Sequence, residues 1–366
     1  MFNMSVSIIK AISYAGVYVG AVIGAGYASG QEVLQFFAGY GFIGMLGAVI
    51  TMIMLAWYGT VFMELGHQLK TNSHRVVLNY LCGKKIGFFA DYILLFFMFG
   101  VISIMFSGGG AAIHQYWGLP PVAGKIIIAL MTLSTVIFGF TSSVRALGII
   151  SPLMILAVVI ISVITFTTYS DQLATVDATI QTLKPDTATT FWWTSAIVYV
   201  SYNVIPGVST FASIGNKEPN LKTVRMAGII GGMTLGICLL FIIMALLSDL
   251  ENVMSYELPF LEIARGIGPT TGFLFSIVLV VAVFTTAVSN LYGFVIRFFD
   301  SDTETSKFRI LTIVVVVLSL LASLFPFSTL VGTLYPALGI LGMYVLLCAL
   351  YKTFKGQIFM AERPKL

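Results

Sequence analysis

The sequence is poor in charged residues: Asp, Glu, Lys and Arg make up 9% of its 366 positions, whereas soluble domains average about 25%. Hydrophobic residues make up 58%. This balance excludes a soluble fold, because a water-facing surface of this size needs many more polar side chains. Lipid must therefore form part of the solvent, and we predict an all-α integral membrane protein.

Cysteine is also scarce, and the three that occur (Cys82, Cys238 and Cys348) include no pair at metal-ligand spacing. We therefore predict no disulfide and no bound cofactor. The net charge of +4 does not indicate nucleic-acid binding, because the basic residues lie in short gaps between apolar runs rather than in one patch. No nucleophile–base pair is visible, so an enzyme is not expected.

Ten apolar runs are long enough to cross a hydrocarbon layer of about 30 Å, which takes roughly 20 helical residues. They cover about 7–37, 41–65, 87–116, 123–141, 146–169, 191–215, 224–248, 270–298, 309–325 and 330–351. Together they predict a single transmembrane domain over residues 1–366.

The basic residues predict the orientation of these spans. If the N-terminus lies in the cytoplasm, the cytoplasmic segments hold sixteen of the nineteen lysines and arginines and leave only Lys125, Lys184 and Arg265 outside. We therefore expect ten spans in the plasma (inner) membrane with both termini in the cytoplasm.

The chain also divides into two similar halves of five spans, about 7–169 and 191–351. Each half opens with a run that contains helix-breaking residues, Gly24-Ala25-Gly26 in the first and Pro206-Gly207 in the second. Five is odd, so the second half must enter the membrane from the opposite side. This predicts a 5+5 inverted repeat in which helices 1 and 6 are broken and flank a binding site.

Polar residues cluster at the first of these positions. The segment from Gly24 to Glu32 contains three glycines, Ser29 and Gln31, in a span where lipid-facing residues should be apolar. A carboxylate inside a span costs on the order of 2.5 kcal/mol or more, so Glu32 must face protein, water or a cation. An unwound segment here would line a cavity, and the helix that resumes would present its positive N-terminus to an anion.

Two further segments carry polar groups inside spans. Residues 199–210 place two tyrosines, Ser201 and Asn203 just before Pro206, and residues 282–290 contain the adjacent pair Thr285-Thr286. Two threonine oxygens can help to replace the water shell of a hard cation. The tyrosines Tyr199 and Tyr202, with Tyr27, either pack or line a pocket that suits a quaternary amine.

Together, these three segments resemble the LeuT-fold transporters of the amino acid–polyamine–organocation superfamily. Residues 20–26 are similar to the first-helix break of sodium-coupled members, and Ala282 with Thr285-Thr286 is similar to their sodium-binding motif in span eight. The segment Gly24-Ala-Gly-Tyr-Ala-Ser-Gly-Gln-Glu32 looks most like the YkvI-type bacterial membrane proteins.

The resemblance implies a site for each ligand. Sodium would be held by the carbonyls of Gly20, Ile23 and Ala282 and the hydroxyls of Thr285 and Thr286. The substrate site would comprise Gly24, Ala25, Gly26, Tyr27, Tyr199, Ser201, Tyr202, Asn203 and Val204. In it, the N–H groups of Ala25 and Gly26 would hold a carboxylate, and carbonyls near Ser201, Tyr202 and Val204 would face an amino group.

These features predict a cation-coupled symporter, with sodium the favoured ion, for an amino acid or related small amine, working by alternating access. Glu32 and Pro206 are not part of the general sodium-symporter pattern, so Glu32 is also a candidate coupling acid for protons. A transporter-like sensor that binds its ligand without moving it is the alternative from another class.

Overall fold

The computed structural model describes residues 2–138, 140–301 and 303–359, and this part of the chain is helical without a strand. Its α-helices are α1 Phe2–Val22, α2 Ala25–Ser29, α3 Gln31–Phe36, α4 Phe42–Leu69, α5 His74–Cys82, α6 Lys84–Trp117, α7 Pro121–Phe138, α8 Phe140–Tyr169, α9 Val176–Leu183, α10 Trp192–Lys217, α11 Leu221–Ser248, α12 Leu250–Val253, α13 Pro259–Ile267, α14 Pro269–Val295, α15 Thr305–Ala322 and α16 Phe327–Phe354. Short 3-10 segments cover Ala38–Tyr40 and Ser170–Thr175.

Nine of the ten predicted spans are helices that are long and apolar enough to cross a membrane, counted over the described residues. They include α4, α6, α7, α10, α11, α14, α15 and α16, and the ninth runs from Pro152 to Leu183 through α8 and α9. The remaining span is the first, where only the shorter stretch Ser7–Val22 is continuous and apolar. The chain is therefore a multi-pass membrane protein.

The first span is interrupted where the glycines lie. Helix α1 ends at Val22, and Gly24 is extended, with φ −106° and ψ 179°, before α2 begins at Ala25. A second bend follows at Gly30, whose φ of 80° is a left-handed conformation that a residue without a Cβ adopts at little cost. Helix α1 followed by the two short helices α2 and α3 therefore replaces one straight span.

The predicted break in the sixth span is wrong. Helix α10 is continuous from Trp192 to Lys217, with Pro206 inside it. A proline removes only its own N–H and favours a φ that suits a helix, so neighbouring turns can hold the helix together in a membrane. One turn before the proline, Asn203 Nδ2 donates to the Tyr199 carbonyl at 2.9 Å.

The spans form two groups of four. Helices α1, α4, α10 and α11 (spans 1, 2, 6 and 7) pack around one another, and so do α6, α7, α14 and α15 (spans 3, 4, 8 and 9). Helices α8 and α16 each contact both groups. Each group thus takes corresponding spans from the two predicted halves, the pairing expected of a repeat. The inverted relation between the halves stays a prediction.

Short helices mark two opposite faces of the molecule. Helix α6 begins directly after α5 and ends beside α13, where Gln115 Nε2 donates to the Leu258 carbonyl at 3.1 Å. We call the end that carries α5 the α5 face and the end that carries α13 the α13 face. The candidate site lies between these faces, where the first span is interrupted.

Candidate functional site

The interruption of the first span opens onto a cavity of about 320 Å³ between the two groups of helices. The cavity is lined by the end of α1 together with residues of α3, α6, α10, α14 and α16. Along α10 the lining begins at Tyr202 and continues to Thr210, which is toward the α5 face. The cavity therefore extends from the break to that side of the molecule.

The carboxylate of Glu32 lies at the inner end of this cavity. The residue is 4% exposed, and its Oε2 accepts a hydrogen bond of 2.9 Å from the Tyr202 hydroxyl. The Tyr335 hydroxyl interacts with the same carboxylate. On its other side the carboxylate touches Gly26, where an added Cβ would come within 1.7 Å of Glu32 Oε1. Only glycine leaves room for this arrangement.

An aromatic layer separates the cavity from the α13 face. Phe36 and Phe37, at the end of α3, pack with ring-centroid distances of 5.4 and 4.9 Å against Tyr199. Tyr199 in turn lies 5.2 Å from Tyr202, whose ring stacks on Tyr335 at 4.6 Å and an angle of 10°. Beyond the layer, a second cavity of about 380 Å³ on the α13 face is lined partly by Gln31 and Gln35.

The predicted substrate residues separate into two sets. Gly24, Tyr202 and Asn203 line the cavity, and Gly26 reaches it through its contact with Glu32. Ala25 begins α2 directly beside them, and its backbone is the part that the prediction used.

The other predicted substrate residues point elsewhere. The Tyr27 hydroxyl donates to the Leu235 carbonyl of α11 at 2.8 Å, and Tyr199 belongs to the aromatic layer. Ser201 faces Gly342 of α16, and Val204 is fully buried in the helical core.

The continuous α10 also changes which carbonyls are available to a ligand. The prediction relied on free carbonyls near Ser201, Tyr202 and Val204, but most carbonyls inside a helix are already paired. The exception is Tyr202, whose carbonyl would normally accept from residue 206, and residue 206 is a proline without an N–H. Of these three residues, Tyr202 thus keeps the free acceptor.

The predicted sodium ligands lie on two sides of the cavity. Gly20 lines it from α1, Ile23 from the interruption directly after α1, and Thr286 from α14. Thr285 is buried, and its hydroxyl donates within its own helix to Val281 O at 2.8 Å and Ala282 O at 3.1 Å. Three of the five predicted sodium ligands thus border the cavity, and Thr286 has the more accessible hydroxyl of the threonine pair.

Four polar lining residues were missed at the sequence level: Thr210, Ser289, Asn290 and Tyr335. Ser289 and Asn290 follow the Thr285-Thr286 pair by one helical turn, so the 3.6-residue period could have found them. Tyr335 carried no such signal, because a tyrosine inside an apolar span is typical of the core.

A charged network centred on Asp91 lies near the α5 face. His74 Nε2 lies 2.5 Å from Asp91 Oδ1, and Arg297 NH1 donates to the same oxygen at 3.4 Å. His74 Nδ1 is 3.1 Å from the Ser209 hydroxyl on α10. Burial lowers the pKa of His74 below its ordinary value, an effect that outweighs the opposing hydrogen bond to Asp91. The network joins α5, α6, α10 and the end of α14.

Known proteins resemble this chain along nearly its whole length, although no protein-family model matches it. The uncharacterized protein YyaD of Bacillus subtilis (strain 168) is 27% identical over 333 residues, which cover 91% of this chain and 94% of YyaD. The uncharacterized membrane protein YkvI of the same organism is 25% identical over 330 residues, covering 90% of this chain and 92% of YkvI. The resemblance to YkvI is thereby confirmed.

Two solved structures have a similar fold. MhsT, solved in complex with L-phenylalanine, has a TM-score of 0.64 at 15% identity, covering 93% of this chain and 91% of MhsT. A Na+-coupled sialic acid symporter, in a substrate-bound outward-open state, has a TM-score of 0.59 at 15% identity, covering 91% of this chain and 78% of the symporter. At this identity the likeness establishes the fold, which is the predicted all-α LeuT fold.

Proposed function

We propose that this chain is a secondary active transporter that carries an amino acid or a related small amine together with a cation, sodium being favoured, by alternating access. The observation that carries the proposal is the cavity at the interrupted first span, which lies between the two four-helix groups and contains the carboxylate of Glu32. A site at such an interface can be exposed to either side of the membrane in turn when one group rocks against the other.

The neighbours in fold support the choice of ligands. The sialic acid symporter is Na+-coupled, and MhsT was solved with an amino acid bound. In this chain Gly20, Ile23 and Thr286 border the cavity and carry carbonyl or hydroxyl oxygens, the ligands that sodium, a hard cation, takes. Sodium held between α1 and α14 would favour the closed arrangement of the two groups through contacts that it makes only there.

The charge distribution supports a plasma-membrane protein whose α5 face is cytoplasmic and whose termini both lie in the cytoplasm. Sixteen of the nineteen basic residues fall on that side in the predicted topology. The cavity of the structure then extends toward the cytoplasm, and the aromatic layer separates it from the outer face.

Coupling to protons is the second candidate, favoured by the position of Glu32. This buried carboxylate lines the cavity and, in the lining described, is the single side chain with a carboxyl group. A carboxylate in a span commonly marks a proton path in pumps and transporters. The two couplings differ in what they require, because only the sodium-coupled transporter needs Thr286.

Uptake by proteoliposomes tests the proposal. Labelled amino acids and amines should accumulate under an inward sodium gradient, and Thr286→Ala should reduce that uptake about tenfold by removing a sodium ligand. Thr234→Ala is the matched control, because the Thr234 hydroxyl bonds within α11 to Ile230 O at 2.8 Å, away from the cavity lining; its uptake should be unchanged.

Each alternative has its own signature in the same vesicles. Full-rate uptake by Thr286→Ala without sodium would overturn the sodium site, and uptake driven by a pH gradient and lost in Glu32→Gln would establish proton coupling. Ligand binding without accumulation under any gradient would identify a sensor instead of a transporter.

A further inference from the structure

The carboxylate of Glu32 in the cavity indicates the class of the substrate. Glu32 Oε1 fills the space beside the Gly26 backbone, in the first turn of α2. That turn is where the sequence analysis expected the carboxylate of a substrate to bind. A carboxylate of the chain itself therefore lies next to the place predicted for the ligand's carboxylate, and the two like charges would repel each other.

The charges of the residues that line the cavity favour a positively charged ligand. Among the described lining residues, Glu32 is the one charged side chain, and none is Lys, Arg or His. A carboxylate that is 4% exposed is stabilised by a partner of opposite sign, because the two tyrosine hydroxyls that reach it are neutral. A positively charged ligand supplies that partner, whereas an anionic group on the ligand would meet a like charge at close range.

The aromatic walls fit the same ligand. The rings of Tyr202 and Tyr335 are stacked beside the carboxylate, and Phe97 lies 6.5 Å from Tyr335 at an angle of 20°. All three rings line the cavity. Ring faces attract ammonium groups, most strongly where water is excluded. A volume of about 320 Å³ restricts the ligand to a small molecule.

We infer that the cavity binds a small organic ammonium ion that carries no carboxylate of its own, with Glu32 as its counter-charge. The inference deepens the proposed function and rests on it in taking this cavity as the substrate site. It narrows the substrate from amino acids and amines to the amines, protonated or quaternary.

Matched pairs of probes test the ligand class, each an ammonium compound with its carboxylated counterpart: tetramethylammonium with glycine betaine, phenethylamine with phenylalanine, and isobutylamine with valine. Binding to the purified full-length protein is measured as the shift in unfolding temperature during a titration. At least one amine should bind about tenfold or more tightly than its carboxylated partner. Stronger binding by the carboxylated partners, or no binding by any amine, would overturn the inference.

Two variants test the role of Glu32. Glu32→Gln keeps the shape of the side chain and removes its charge, so amine binding should weaken about tenfold. Tyr202→Phe keeps the charge and removes the 2.9 Å hydrogen bond, so it should fold and bind about threefold more weakly. Glu251→Gln, an exposed residue of α12, is the matched control and should bind as the unmodified protein does. The inference would be contradicted if a folded Glu32→Gln protein bound amines as before, or if it lost only its binding of sodium.

Vesicle uptake separates this inference from the proposed function. An amine that binds but does not accumulate would leave the ligand class intact and overturn transport. Sodium-driven accumulation of zwitterionic amino acids, with no amine bound, would support transport and overturn the ligand class.

Discussion

At the scale of single residues, two glycines of one motif have different surroundings. A Cβ at Gly26 would come within 1.7 Å of Glu32 Oε1, whereas a Cβ at Gly24 would find no atom within 4 Å. The obstacle at Gly26 is the end of a flexible side chain, so Gly26→Ala should fold but push the carboxylate away from Tyr202. We predict that amine binding, measured as the shift in unfolding temperature, weakens about tenfold.

The neighbouring glycine provides the control for that measurement. Gly24 has a negative φ that any residue adopts, so Gly24→Ala should bind amines within about threefold of the unmodified protein. Equal effects of the two substitutions would show that the glycines set only the backbone, and that the contact between Gly26 and Glu32 has no part in binding.

A second residue-scale prediction concerns the ion pair between Glu64 and Arg225, which joins α4 to α11. Arg225 donates from Nε and NH2 to the two carboxylate oxygens at 2.8 and 2.9 Å; the Glu64 side chain is 0% exposed and that of Arg225 40%. Removing the arginine leaves a fully buried charge, so Arg225→Ala should cost about 3 kcal/mol. Glu64→Gln leaves an arginine that water can reach and should cost about 1 kcal/mol.

The prediction to be tested is that Arg225→Ala lowers the free energy of unfolding more than Glu64→Gln does. Equilibrium unfolding of the purified protein in mixed micelles gives both free energies on one scale. A larger loss for Glu64→Gln than for Arg225→Ala would mean that burial of the carboxylate is not what sets the cost.

A site residue could be predicted from the sequence where its side chain differs in polarity from the apolar residues around it. Glu32 stood out because a carboxylate inside an apolar span needs an explanation. Tyr335 did not, since its ring is as apolar as its neighbours and only the packing of α16 brings its hydroxyl to Glu32. Tyr27 sits in the right motif, but the direction of α2 turns its side chain toward Leu235.

At the scale of elements, the two helix-breaking signals had different outcomes. Gly24 allowed the chain to leave the helix, and the interruption lies at Ile23 and Gly24, close to the predicted position. Pro206 did not break α10, because a proline costs one hydrogen bond while the packing on both sides of it remains. Composition predicts where a helix is weakened, but tertiary contacts decide whether it opens.

The network near the α5 face yields a prediction about elements. It connects α5 to α6, α10 and the end of α14 through His74, Asp91, Ser209 and Arg297, and Arg75 Nε lies 3.6 Å from Asp91 Oδ2. Burial lowers the pKa of His74, so the folded network favours the neutral ring. The network therefore contributes its full stabilisation above about pH 6.5, and this contribution decreases as the pH falls below that value.

Cysteine accessibility measures this effect. In a background without the three native cysteines, Asn290→Cys reports on the cavity, which Asn290 lines. Its labelling by a maleimide is expressed relative to that of the exposed Gln172→Cys at the same pH, because only the thiolate reacts and its fraction falls with pH at both positions. This relative rate should become about threefold faster between pH 8 and about pH 5.5 as the protonated His74 is repelled by Arg297 and Arg75. His74→Asn should remove the pH dependence of this relative rate, and Asp91→Asn should raise the relative rate at every pH. A relative rate that falls on acidification would contradict the prediction.

At the scale of the whole molecule, the orientation is a prediction from charge alone. Asn72, between α4 and α5, and Gln172, after α8, are exposed on opposite faces and are both neutral, so replacing them does not alter the charge balance. Gln172→Cys should react with an impermeant maleimide in intact cells, and Asn72→Cys only after permeabilisation. The reverse pattern would invert the topology and place the cavity toward the outside.

If the two helix groups rock against each other, the accessibility of two positions should change in opposite directions. Asn290 lines the cavity that extends to the α5 face, and Ser328 lines the cavity on the α13 face. The aromatic layer lies between these cavities, so a rigid rotation that opens one must narrow the other. If sodium draws α1 toward α14, adding sodium should slow labelling of Asn290→Cys and speed labelling of Ser328→Cys, each by about threefold. Potassium is the matched control and should change neither rate. Parallel changes at both positions would indicate a general loosening of the structure and would exclude alternating access as the response to sodium.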